Sequence, residues 1–121
     1  MPVHHGWDDE AQTIYTFTMT DSWTWGDFQE ALREGYPIIQ AADYAVDVIY
    51  AYISPLPQEN AVQYLMLAGE TQPSNCQHTV IVTQQALIHE IVKSVDSVRK
   101  WEGPAFFEDL HEARVYLLAQ R

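Results

Sequence analysis

Residues Val46 to Ile53 read Val-Asp-Val-Ile-Tyr-Ala-Tyr-Ile, apolar throughout except for Asp47. A strand with one wet face alternates polar and apolar residues. This run does not alternate, and it is rich in β-branched and aromatic side chains. Such a segment belongs at the centre of a largely parallel sheet, covered on both faces. Ser54-Pro55-Leu56-Pro57 stops it, with Pro57 placed for a first helical turn.

The rest of the chain is read outward from that strand. Val3–Trp7 is a short extended segment, and Asp8-Asp9-Glu10 is a polar turn. Thr13–Met19 alternates, with Tyr15, Phe17 and Met19 on one face, so the two segments form an N-terminal β-hairpin. Thr24 is an N-cap, with Asp27 completing a capping box. Trp25, Phe28, Leu32, Tyr36 and Ile39 follow at helical spacing, and Pro37 is expected to kink or break that helix.

Glu59–Ala68 is the next helix, closed by Gly69. Gln72–His78 reads as a polar loop and Thr79–Val82 as a short buried strand. Thr83 caps a helix whose inner stripe is Leu87, Ile88, Ile91, Val92, Val95 and Val98. Gly103-Pro104 ends it, Ala105–Phe107 is a last strand, and Glu108–Gln120 is a helix with Glu108 and Asp109 at its positive end.

Strands and helices therefore alternate after the hairpin. The predicted fold is α/β, a mixed five-stranded sheet with about four helices in one domain spanning 1–121, with Val48, Ile49, Tyr50, Val80, Ile81 and Val82 at its centre.

Charge narrows the function. Seventeen acidic against six basic residues give a net charge of −11. Residues 1–92 hold twelve carboxylates and one base, Arg33. Nucleic acid and anionic membrane surfaces both call for clustered Lys and Arg, so neither is an expected partner. A solvated acidic surface explains the surplus, and a basic protein partner is the sharper reading. Cys76 is the only cysteine, which excludes an internal disulfide and suits a reducing compartment. With no secretory signal pattern and no long apolar run, the expected location is cytoplasmic.

Several stretches together resemble the STAS family, the sulphate-transporter and anti-sigma-factor-antagonist domains. They are Trp23-Thr-Trp-Gly-Asp-Phe28 opening the first helix, the core strand running into Pro57, Thr79-Val-Ile-Val82, and the closing segment Phe106 to Leu117 with its Glu112-Ala113 pair. The likeness is to a STAS-like branch that borders on lipid-binding CRAL-TRIO folds. It implies a non-enzymatic regulatory domain that docks on a protein partner. Phosphorylatable antagonists of that family carry a serine at the start of the helix after the core strand, where the helix dipole favours a phosphate. Here Ser54-Pro-Leu-Pro-Gln-Glu-Asn60 has no serine at the helix start and already places Glu59 there, so no phosphoserine switch is expected.

The candidate interaction edge is Ser54, Leu56, Gln58, Glu59 and Asn60, at the carboxyl end of the central strand. Trp23, Trp25 and Phe28 are a candidate apolar pocket or dimer face. A small lipid-like ligand is the alternative reading. A second copy of the chain is a further candidate partner, through an uncovered hairpin bearing Tyr15, Phe17 and Met19.

Other pairings read as structural. His4 and His5, adjacent on a strand, face opposite ways and do not share a metal ion. Cys76 and His78 lack an orienting third group. His89-Glu90 and His111-Glu112 never extend to a His-Glu-x-x-His pattern. No glycine-rich phosphate loop is present. Asp47 is expected to be a structural carboxylate, at an open strand end or paired with Arg33 or another base. No catalytic set, metal or cofactor is expected.

Overall fold

The computed structural model describes residues 3–57, 60–88, 90–91 and 104–120. Strands β1 (Val3–Trp7) and β2 (Ile14–Met19) form the hairpin, followed by α1 (Trp25–Ala41) and β3 (Val46–Tyr52). Next come α2 (Ala61–Thr71), β4 (Cys76–Val82), helical residues 86–88 and 90–91 (α3), β5 (Ala105–Phe107) and α4 (Leu110–Ala119). The sheet has five strands in the order β1-β2-β3-β4-β5. β1 is antiparallel to β2, and the remaining pairs are parallel.

This strand order decides where the helices go. Right-handed crossovers that always step in the same direction deliver each helix to the same face. One core accordingly joins Phe28, Leu32, Tyr36 and Ile39 of α1, Ala61 and Ala68 of α2 and Ile88 of α3 to Phe17, Val48, Tyr50 and Ile81 of the sheet. The opposite face carries Ile14, Ile49, Ala51, Val80 and Val82, covered by Ala113 and Leu117 of α4. β3 is therefore buried along its whole length. The six residues expected at the centre of the sheet are all buried.

Local chemistry sets the turns and caps. The Asp9 carboxylate accepts from the Thr13 and Ile14 backbone N–H groups and from the Thr13 hydroxyl, closing the hairpin. Thr24 and Asp27 form the reciprocal capping box at the start of α1. Asp109 caps α4 by accepting from Glu112 N at 2.8 Å. At the amino edge the Asn75 carboxamide donates to Ile39 O, Ala42 O and Tyr44 O, tying the end of α1 to the start of β4.

Several expectations are corrected. α1 runs unbroken through Pro37. Pro37 and Arg33, whose carbonyl Pro37 cannot serve, are both exposed, and the missing hydrogen bond costs least there. α2 continues past Gly69 to Thr71. β4 begins at Cys76, not Thr79, because a register shift between Val46 and Val48 lets the extra residues pair with β3. Cys76 and His78 therefore lie on a strand, not in a loop.

The hairpin is not left uncovered. Tyr15, Phe17 and Met19 are buried in the core that α1 covers, at 1 %, 0 % and 0 % exposure, so the apolar face invoked for a second copy is covered by the chain itself. Gln58, Glu59, His89, Val92, Val95, Val98, Trp101 and Gly103 lie outside the described residues.

Candidate docking edge

Parallel strands end on the same side of a sheet, and α/β folds gather function outside those ends. Here that edge is built by the turns after β2 (Thr20–Thr24), β3 (Ile53–Pro57), β4 (Thr83–Gln85) and β5 (Glu108–Asp109). The turn after β3 is the expected interaction loop, and three residues hold it, Met19, Gln85 and Trp25. Ile53 N and Ser54 N both donate to Met19 O, at 3.0 and 3.2 Å. The Gln85 carboxamide reaches across from β4: its Nε2 donates to Ser54 O at 3.0 Å, and its Oε1 accepts from Leu56 N at 3.1 Å. Trp25 Nε1 donates to Pro57 O at 3.2 Å.

The outcome is a fixed loop with its apolar tip outward. Ile53 is 60 % exposed and Pro55 is exposed, whereas Leu56 turns inward as a buried plug. Ser54 is half-buried. Asn60 is exposed at the start of α2, in the left-handed region at φ 61°, and makes no side-chain cap. Of the five residues expected at this edge, Ser54 and Asn60 thus reach its surface and Leu56 does not. Gln85 is the residue that sequence reading missed. A glutamine three residues after a strand carries no signal of its own, and its role depends on β3 and β4 being neighbours.

Trp23, Trp25 and Phe28 are buried, at 3 %, 7 % and 0 % exposure. Their rings pack on one another, on Tyr52 and on Tyr64. The space between α1 and the sheet is filled by these rings rather than left as a pocket, and the rings present no face to a second copy.

Beside the loop, Thr83, Gln85, Glu90, Phe107 and Glu108 border an open cleft of about 530 Å³ between α3 and the β5–α4 turn. A second groove, of about 390 Å³, lies between α1 and α2 and is lined by Leu32, Arg33, Tyr36 and Leu67.

Away from the edge, burial pushes the Cys76 thiol up to about 12, with the nearby Asp47 charge adding to the shift. A nucleophilic cysteine needs the opposite. His4 is exposed, while His5 turns to the other side, where its ring nitrogens meet the Tyr15 hydroxyl at 2.6 Å and Glu34 Oε1 at 3.0 Å. Asp47 is 3 % exposed, on the same face of β3 as Ile49 and Ala51, whereas Arg33 is exposed on α1. No helix among the described residues is long and apolar enough to cross a membrane.

Comparison with protein-family models, curated proteins and solved structures yields no match to this chain.

Proposed function

We propose that this chain is a non-enzymatic regulatory or protein-interaction domain of STAS-like type, acting in the cytoplasm. It docks on a protein partner through the carboxyl edge of its sheet, without a phosphoserine switch. The observation that carries this reading is the Gln85 clamp. A carboxamide that binds the Ser54 carbonyl and the Leu56 N–H holds the loop after the central strand in one conformation, with Ile53 presented to solvent. A loop ordered before contact loses little conformational entropy on binding, and a lone apolar tip on a fixed loop suits a pocket in a partner. The raised thiol pKa of Cys76 supports a role other than nucleophilic catalysis.

A photo-reactive amino acid placed at Ile53, and separately at Leu118 on α4, tests the reading. Both positions are well exposed, at 60 % and 57 %. Irradiation in cells is expected to give one discrete adduct from position 53 that is absent from position 118. Gln85→Ala, which frees the loop, is expected to weaken that adduct. No adduct from position 53, or the same adducts from both positions, overturns the proposal.

A further inference from the structure

The apolar face of the hairpin is covered, but its outer edge is open. β1 is an edge strand, and β5 forms the other edge, four strand spacings or about 19 Å away. In an antiparallel ladder, the residues of one strand turn their N–H and C=O groups alternately toward the partner and away from it. The parity is fixed here. Asp8 N donates to Ile14 O at 2.7 Å, whereas Thr13 O and Met19 O accept from β3 and the turn after it. In the register His4–Thr18 and Gly6–Thr16, His4 and Gly6 therefore bond to β2, and Val3, His5 and Trp7 turn their main chain outward. None of these three has a main-chain partner on that outer side among the described residues.

We propose that this edge pairs antiparallel with β1 of a second copy, about a two-fold axis through His5, joining the two sheets into one. The strand is self-complementary about that residue. His5 meets His5 of the second copy, and Val3 meets Trp7. Each outward residue thus finds an outward residue and exchanges two hydrogen bonds with it. A slip of two residues leaves one outward residue of each strand unpaired, so the axis is fixed. Size matches as well. Val3 is set against the larger Trp7 on the face that carries α1. On the other face the exposed His4 ring is set against Gly6, where a Cβ would meet nothing within 4 Å.

Charge selects the occupant. The chain carries −11, so it meets itself favourably only where carboxylates are absent or held. Val3–Trp7 contains none. Asp8, the next residue, is bound by Arg114 at 2.6 and 2.7 Å, and Glu34 of α1 is bound by His5 at 3.0 Å. β1 also lacks the devices that keep edge strands apart, with no lysine, no proline and no bulge. Apolar surface stands beside it. Glu34 reaches β1, so Ile38, one turn on, lies on the same side of α1, and it is 43 % exposed. The Ile53 loop takes no part, so this pairing and the docking edge stand or fall separately.

The test is sedimentation of the intact protein from about 1 to about 500 µM, with hydrogen exchange read residue by residue at both ends of that range. A dimer is expected at the upper end, with the amides of His5 and Trp7 protected. In the dilute monomer those two are expected to exchange freely, while His4 and Gly6 stay protected in both states. Gly6→Lys fills the space that His4 of the second copy needs, although its added positive charge by itself favours association. It is expected to weaken the dimer by about tenfold or more. Leu118→Lys makes the same charge change on an exposed position of α4 and is expected to leave the dimer intact. The exchange pattern of the parent tests the pairing independently of any variant. A monomer throughout the range overturns the proposal and leaves the edge to a strand of another protein. A dimer that Gly6→Lys leaves intact, a dimer in which His5 and Trp7 exchange freely, or protection of those amides in the dilute monomer also overturns it.

Discussion

Gly35 of α1 lies directly against Phe17 of β2. A Cβ on Gly35 would stand 2.8 Å from Phe17 Cε1 and Cζ and 3.0 Å from Tyr15 Cε2. That approach brings α1 close to the hairpin and buries the alternating face of β2. Helix propensity alone favours Gly35→Ala by about 1 kcal/mol. The contact reverses the sign, because neither buried ring has room to retreat, and overpacking of this kind costs about 1–3 kcal/mol. Urea unfolding of Gly35→Ala should therefore show a net loss of stability. Phe17→Leu in the same chain should recover part of it. A variant as stable as the parent would mean the helix does not approach this closely.

Tyr50 and Tyr36 carry a directional chain of buried hydrogen bonds. Gln72 Nε2 donates to the Tyr50 hydroxyl, Tyr50 donates to the Tyr36 hydroxyl at 2.6 Å, and Tyr36 donates to Ala68 O at 2.8 Å. Tyr50→Phe breaks the chain in the middle and should cost about 1–2 kcal/mol. Burial raises the pKa of both phenols above the ordinary value of 10.0. The unfolded chain therefore releases these protons first as pH rises. Stability from this source is fully present below pH 10.0 and declines above it. Alkaline denaturation of the parent, compared with a Tyr36→Phe, Tyr50→Phe chain, measures the effect. The double variant should lose part of the alkaline slope.

Arg114 and Asp8 tie the C-terminal helix to the hairpin turn. The contact is bidentate, at 2.6 and 2.7 Å, with the Asp8 side chain 10 % exposed and Arg114 41 % exposed. The asymmetry predicts unequal variants. Asp8→Asn frees an arginine that water can reach, at a cost of about 0.5–1 kcal/mol. Arg114→Met strands a largely buried carboxylate and should cost more, about 1–3 kcal/mol. Hydrogen exchange should show α4 losing protection first. Equal costs, or a larger cost for Asp8→Asn, would contradict the geometry.

Cys76 should be a sluggish thiol. With its pKa pushed up to about 12 by burial, little thiolate exists near neutrality. Alkylation of the folded protein at mildly alkaline pH should run on the order of a hundredfold slower than in denaturant. The same shift contributes stability that is complete below the ordinary thiol value of 9.0 and fades as pH rises toward 12. Rapid labelling of the native protein would show that the site opens far more readily than its burial implies.

The sequence by itself determined what local chemistry can decide. The nearly continuous apolar run at Val46 required a central strand, the alternation at Thr13–Met19 marked a strand but implied one covered face where β2 is buried on both, and Thr24 with Asp27 marked a helix start. Those signals depend on residues within one or two turns of each other. The tertiary structure decided everything that depends on which elements are neighbours. The alternating face of β2 gave no sign that α1 would cover it. Trp23, Trp25 and Phe28 read equally well as a pocket wall and as core, and only the docking of α1 and Tyr64 of α2 buried them. Cys76 read as loop until β3 offered it a partner. Gln85 acquired its role only when parallel pairing set its carboxamide beside the Ser54 carbonyl and the Leu56 N–H. Periodicity records how much of a segment is buried, but not against what, because apolar burial is non-directional and any complementary surface satisfies it.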